Sequence, residues 1–182
     1  MNAEQCEFLA GDTIIQMKPR FTEGEIDLIG GRIGPFEAGM PLDVPLWLAI
    51  DMRRRHKCEI IPPDWMAVDA LKRLIVAEGE RTELAPLPPC FFETAHMLVR
   101  HAKEDIVDGD QVKTLVQDMW DKREAKLRTS MLAFLGQSEM GHARVDDVQR
   151  LEFATMRASI LRGGEEIDRL VANVHKVAGL TD

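Results

Sequence analysis

Two Glu-x-x-His motifs, Glu93-Thr94-Ala95-His96 and Glu139-Met140-Gly141-His142, are the groups in this sequence best spaced to do chemistry. Di-iron carboxylate bundles use two such motifs, each placing a carboxylate and an imidazole one helical turn apart, with a further Glu from two other helices. That chemistry needs every ligand to project into the bundle core. On a helical wheel, Glu93 and His96 fall well away from the apolar stripe of their own helix, so they are expected to face outward. The second motif abuts Gly141 in what reads as an interhelical loop. The expectation is therefore no metal site and no cofactor. His56 and Cys58 lack further nearby ligands. Cys6, Cys58 and Cys90 lie far apart, without the close pairing that thiolate zinc sites use.

Other catalytic signatures are missing parts. Gly30-Gly31-Arg32-Ile33-Gly34-Pro35-Phe36 has the glycines of a phosphate loop but not its Lys-Ser/Thr ending, and Pro35 stands where a helix should open. No Gly-x-Ser-x-Gly elbow or dinucleotide fingerprint occurs. The net charge of −8 does not advertise a phosphate-binding face. The one dense basic run is Arg53-Arg54-Arg55-His56-Lys57, with Arg53, Arg54, Arg55 and Lys57 as its cations. It reads either as the cationic end of a short helix, suited to the helix dipole, or as a partner-contact patch or import signal. No apolar run is long enough to span a bilayer, the N-terminus has no basic-then-apolar leader, and the odd cysteine count suits reduced thiols inside a cell. A non-catalytic protein is expected.

The elements that must position these residues divide into two styles. All 9 prolines lie at or before Pro89, so the later chain is free to be helical. The first part reads as mixed, with a helix over Glu4–Ala10 and strands at Thr13–Met17 and Ile26–Ile29. Then come a helix over Leu46–Arg54 with Pro45 as its first residue, and a last strand at Lys57–Ile61 stopped by Pro62-Pro63. Beyond that point helices are predicted at about 65–80, with Asp64 as N-cap, and at 90–107, 110–135 and 146–178, with Pro86–Pro89 a stiff connector. The expected fold is α+β, mainly α: a small β-rich domain over residues 1–61, then a helical bundle over 62–182.

The helix faces say more. Phe91, Phe92, Ala95, Leu98, Val99, Ala102 and Ile106 form one stripe. Val112, Val116, Met119, Trp120, Leu127, Met131 and Phe134 form another, with Arg123 inside it. A charge on an apolar face costs free energy unless it is paired, so Arg123 either snorkels to water or pairs with a carboxylate from another helix or another chain. The last predicted helix is apolar on two sides: Phe153, Met156 and Ile160 continue one face, Leu151, Ala154 and Leu161 the other. Gly163 falls mid-helix, and Ile167, Leu170, Val171, Val174 and Val177 line the C-terminal half. A helix apolar on both sides must be covered on both, and a partner chain is the economical cover.

Four strings carry a specific resemblance. They are Leu28-Ile29-Gly30-Gly31 with Gly34-Pro35-Phe36; Val44-Pro45-Leu46-Trp47-Leu48-Ala49-Ile50; Pro62-Pro63-Asp64-Trp65-Met66; and Thr114–Arg123 continuing through Ala125-Lys126-Leu127-Arg128. In this order and spacing the chain resembles the second Partner-of-Sld-Five subunits of the eukaryotic GINS complex. The resemblance implies a β-rich domain followed by a helical one, and assembly with three paralogous subunits through the helical domains. It also implies association with the MCM ring and its accessory protein in the nuclear replicative helicase, with DNA met only through the assembly and no membrane. Met119, Trp120, Arg123, Leu127, Phe153 and Ile160 become the expected interface residues. Trp47 and Trp65 become internal anchors. A generic helical adaptor of another nuclear assembly would share the faces without sharing the strings.

Overall fold

The computed structural model describes residues 2–135 and 146–157. The chain opens with α1 (Ala3–Ala10), whose Asn2 side chain accepts from the Gln5 N–H while the Gln5 side chain accepts from the Asn2 N–H, a reciprocal cap. β1 (Ile14–Pro19) alternates exposed and buried side chains, sending Ile15 and Met17 inward and leaving Ile14, Gln16 and Lys18 on the open face. β2 (Ile26–Leu28) and β3 (Gly31–Ile33) form a separate two-stranded hairpin. β4 (Leu42–Pro45) and β5 (Cys58–Ile61) pair antiparallel on either side of β1, giving the order β4-β1-β5.

Two of these strands were not expected. β3 lies inside the glycine-rich stretch, where Gly34 sits at φ +129° and a Cβ would meet the Glu25 backbone at 2.9 Å. Only glycine lets the hairpin close that tightly. β4 lies where Pro45 was predicted to open a helix. Pro45 is instead extended (ψ 142°), ending an edge strand and standing as the N-cap residue of α2 (Leu46–Arg54). An edge position tolerates a residue with no N–H to donate.

After Pro62-Pro63 a single 3-10 turn (Asp64–Met66) leads into α3 (Val68–Glu80). Asp64 does not cap α3; Ala67 occupies that position without a side-chain bond. α4 (Phe91–His101) ends earlier than predicted, because Ala102 leaves helical geometry and a second 3-10 turn (Lys103–Asp105) follows. α5 (Gly109–Leu135) is the long helix, and α3 packs along it. A sixth helix, α6, runs over residues 150–157. It starts four residues later than predicted because Asp147 takes a left-handed φ of 61° and turns its carbonyl back toward α5. Glu139, His142, Ile160, Leu161, Gly163 and the stripe from Ile167 to Val177 lie outside the described residues.

The buried residues form one cluster that takes Met17 and Ile60 from the sheet, Leu46 from α2, Phe91 and Leu98 from α4, and Met119 from α5. Aromatic rings tie its helical side. Trp65 packs on Phe91 at 4.6 Å between centroids, Phe91 meets Phe92 edge-on at 5.1 Å, and Phe92 meets Trp120 edge-on at 4.9 Å. Offset and edge-to-face contacts of this kind add roughly 0.5–1.5 kcal/mol each beyond burial. Trp65 is thus an internal anchor. Trp47 is not: it is 43% exposed.

Candidate functional site

Arg123 sits one helical repeat from both Met119 and Leu127, which puts it on the inward stripe of α5. Its side chain has no solvent exposure. All five guanidinium N–H groups find acceptors. Nε donates to Glu152 Oε1 at 2.6 Å, and Nη2 to Glu152 Oε2 at 3.0 Å and to the Asp147 carbonyl at 2.7 Å. Nη1 donates to Glu78 Oε2 at 2.9 Å and to the Ala85 carbonyl at 2.8 Å. The fork-on-fork pairing with Glu152 is the strong geometry of an arginine–carboxylate contact.

The carboxylates are equally occupied. Glu78 Oε2 also accepts from the Ala85 N–H at 2.9 Å, and Glu78 Oε1 accepts from Lys126 Nζ at 2.8 Å. Lys126 further donates to the carbonyls of Glu78, Arg81 and Glu83, closing the open C-terminal end of α3. Glu152 reaches back to the Gln149 N–H at 2.8 Å and so caps α6. Burial opposes the charge on Glu78, but the bonds from Lys126, the Ala85 N–H and Arg123 hold its carboxyl below the ordinary range. The charged forms of Arg123 and Glu78 stabilise each other. With every donor taken, the cluster has nothing left to offer a substrate; it fixes α3, the 81–89 connector, α5 and α6 in one arrangement.

Within the basic run Arg53 points inward, while Arg54, Arg55 and Lys57 are exposed. Arg53 is buried and donates to Asp105 Oδ2 at 2.7 Å and to Glu104 at 2.9 Å. The same Asp105 oxygen accepts the Ile60 N–H on the outer edge of β5, so one carboxylate ties strand, helix and turn together. Arg54 lies against the His101 ring at 3.1 Å. Burial, and then Arg54, keep that imidazole below its usual pKa. Arg55 pairs with Asp51 on the surface, and Lys57 lies over the Phe21 ring at 5.5 Å. A left-handed turn at His56 splits the run.

Glu93 overturns the expectation that it faces outward. It is fully buried, and neither carboxyl oxygen has a hydrogen-bond partner. Burial pushes its pKa up, eased but not cancelled by the positive charge of Arg150 at the start of α6. The wheel assigned α4 one stripe; α6 covers what was read as its outer side. His96 is exposed as expected. Among the described residues, no three His, Cys, Asp or Glu side chains converge on a point that could hold a metal.

The expected interface residues separate into two sets. Met119 and Arg123 have no exposure and are covered by the chain's own side chains. Trp120 is half-buried, Leu127 is buried at the rim, and Phe153 is 51% exposed. Trp120, Leu127, Met131 and Met156 line a cleft of about 50 Å³ between α5 and α6.

Known families match the chain on both sides of Pro62-Pro63. A family described as the PSF2 N-terminal domain matches residues 2–61, and the GINS complex protein helical bundle domain matches residues 65–162. A Brugia malayi protein named "Probable DNA replication complex GINS protein PSF2" is 47% identical over 98% of this chain and 94% of its own length. The Caenorhabditis elegans protein of the same name is 48% identical, covering 97% and 98%, and human "DNA replication complex GINS protein PSF2" is 38% identical, covering 96% and 94%. The chain belongs to the PSF2 family of GINS proteins. In this PSF2-family chain the partners of Arg123 were the residues that wheel reasoning missed. Glu78 was findable: it follows Leu71, Leu74 and Ile75 at helical spacing and shares their face. Glu152 was harder, since it sits between the two apolar sides of α6. Asp105 carried no sequence signal, because its role depends on β5 having an open edge.

Proposed function

We propose that this chain is a non-catalytic subunit of a GINS complex acting in DNA replication. The near-full-length similarity to GINS PSF2 proteins carries this reading. It assembles with three paralogous subunits. The complex joins the MCM ring and its accessory protein as part of the nuclear replicative helicase, and DNA is met through the assembly. The β-rich domain is residues 1–61 and the helical domain residues 62–182, joined at Pro62-Pro63.

The geometry favours a structural role. The most elaborate polar cluster has every guanidinium donor saturated and holds helices, not a ligand. Its product is a fixed α5–α6 seam with apolar side chains at its rim. Trp120, Leu127 and exposed Phe153, with Met131 and Met156, are the contacts for sister subunits; Ile160 extends them along the sequence. Met119 and Arg123 support that surface from beneath. Apolar side chains exposed at helical spacing are what a helix-on-helix interface needs. Co-expression with its three paralogues, followed by affinity purification on this chain, tests the reading. Stoichiometric recovery of all three supports it, and recovery of this chain alone opposes it.

A further inference from the structure

A second surface shares no lining residue with the α5–α6 cleft. A groove of about 1540 Å³ is walled by α1, the β2–β3 hairpin, the start of α2 and the end of α4. Its floor is apolar and open: Phe8 is 81% exposed, Ile14 63% and Trp47 43%, with Ile29 at the hairpin tip fully exposed. Four large apolar side chains left in water around one concavity mark an interaction surface better than scattered ones would.

The rim says what would fit. Glu4, Glu7, Asp12 and Asp43 line the groove, and none makes a side-chain ion pair among the described residues. Of its cations, Arg32 pairs with Asp27 at 2.8 Å, whereas Arg54 meets only the His101 ring and keeps its charge. Among the described residues, Arg54 and Arg100 are the two lining arginines without a carboxylate partner, against four unpaired carboxylates. Carboxylates exceed unengaged cations, so the field at the rim is negative and disfavours phosphate.

Backbone adds a third feature. Among the described residues, β4 is a terminal strand of its sheet and β3 pairs only with β2. Residues of both strands, Asp43 and Pro45 from one and Gly31, Arg32 and Ile33 from the other, line the groove. An unpaired strand edge can take an added strand, with apolar side chains on one face of the addition entering the floor.

We infer that this groove binds an extended, basic and apolar segment of another polypeptide. Alternate apolar side chains meet Phe8, Ile14, Ile29 and Trp47, and lysines or arginines between them meet Glu4, Glu7, Asp12 and Asp43. The residues that line the groove are different from those that line the α5–α6 cleft.

The test uses the co-expressed complex and a short fluorescein-labelled peptide alternating valine and lysine, followed by fluorescence anisotropy. The expected result is saturable binding that weakens steeply with salt, since exposed charges are screened beyond about 8 Å at physiological ionic strength. A Trp47→Ala, Ile14→Ser variant should lose roughly tenfold or more in affinity, as central apolar anchors do. A Glu7→Lys, Asp43→Lys variant, which leaves the apolar floor intact, should prefer a valine–glutamate peptide. Equal binding of a serine–lysine peptide would show charge attraction alone and overturn the inference. So would the absence of binding, or self-association of the complex through this face. The proposed assembly is read separately by the presence of the sister subunits in the purified complex, so failure of either does not imply failure of the other.

Discussion

Arg123 and Glu152 meet through two parallel hydrogen bonds of 2.6 and 3.0 Å, and neither side chain is open to solvent. They are 29 residues apart in sequence. The pair therefore reports whether α6 has docked onto α5, and it decides several measurable properties.

Replacing Arg123 with Met leaves Glu78 and Glu152 buried with only Lys126 and backbone N–H groups to face them. Removing one partner of a buried ion pair costs about 3–5 kcal/mol. Urea unfolding should show a loss of that size. Replacing Arg123, Glu78 and Glu152 together with apolar residues of similar volume should recover much of it, because no uncompensated charge remains. Unchanged stability in the single variant would mean that the pairing contributes nothing.

Glu78 also sets an acid limit. Its folded pKa is lowered, so its contribution is present above the unfolded carboxylate value of about 4.3 and is lost as pH falls through the folded value. Unfolding followed from pH 7 downward should show stability falling in that acidic window, and Glu78→Gln should flatten the fall.

Glu93 gives the opposite sign. Its folded pKa is raised by burial, so the folded state holds a proton that the unfolded state releases. Its contribution is most favourable below about pH 4.3 and is lost as pH rises toward the folded value. Glu93→Gln should therefore stabilise the protein near neutrality, because the amide has no proton to lose, and should gain nothing at pH 4. Thermal unfolding at the two pH values checks both halves of the expectation.

Within the basic run, the arginines should behave unequally. Arg53→Ala breaks a buried bond to Asp105 and should cost about 3–5 kcal/mol. Arg55→Ala removes an exposed pair with Asp51 and should change stability by no more than about 0.5 kcal/mol. Equal effects at the two positions would contradict the inward turn of Arg53.

Phe153→Ser should leave the chain folded, since the ring is already half in water, yet weaken association with sister subunits. Size-exclusion chromatography with light scattering reads the mass of the complex. Full assembly at micromolar concentration would remove Phe153 from the interface.

Much of this was legible from periodicity. The stripes through Phe91–Leu98 and Val112–Leu127 are the buried faces of α4 and α5, and Arg123 stood out as the charge among them. What the pattern could not supply was the identity of long-range partners. Whether Arg123 meets Glu152 depends on where α6 begins, and that start is set by a left-handed Asp147 with no strong sequence mark. Glu93 was misjudged for the same reason: a wheel shows which side is polar, but not which polar side another helix will cover. Trp47 failed as an anchor because an aromatic next to a proline-opened helix looks the same whether it faces a core or a groove. The strand at Leu42–Pro45 was lost to Pro45, whose missing N–H suits an edge strand as well as a helix start.

The most direct test of the account is native mass spectrometry of this chain co-expressed with its three paralogues. The predicted result is a single species containing one copy of each, which loses this chain selectively when Trp120, Leu127 and Phe153 are all replaced with Ser. This chain observed only as a monomer, with its paralogues present and folded, would contradict the central claim.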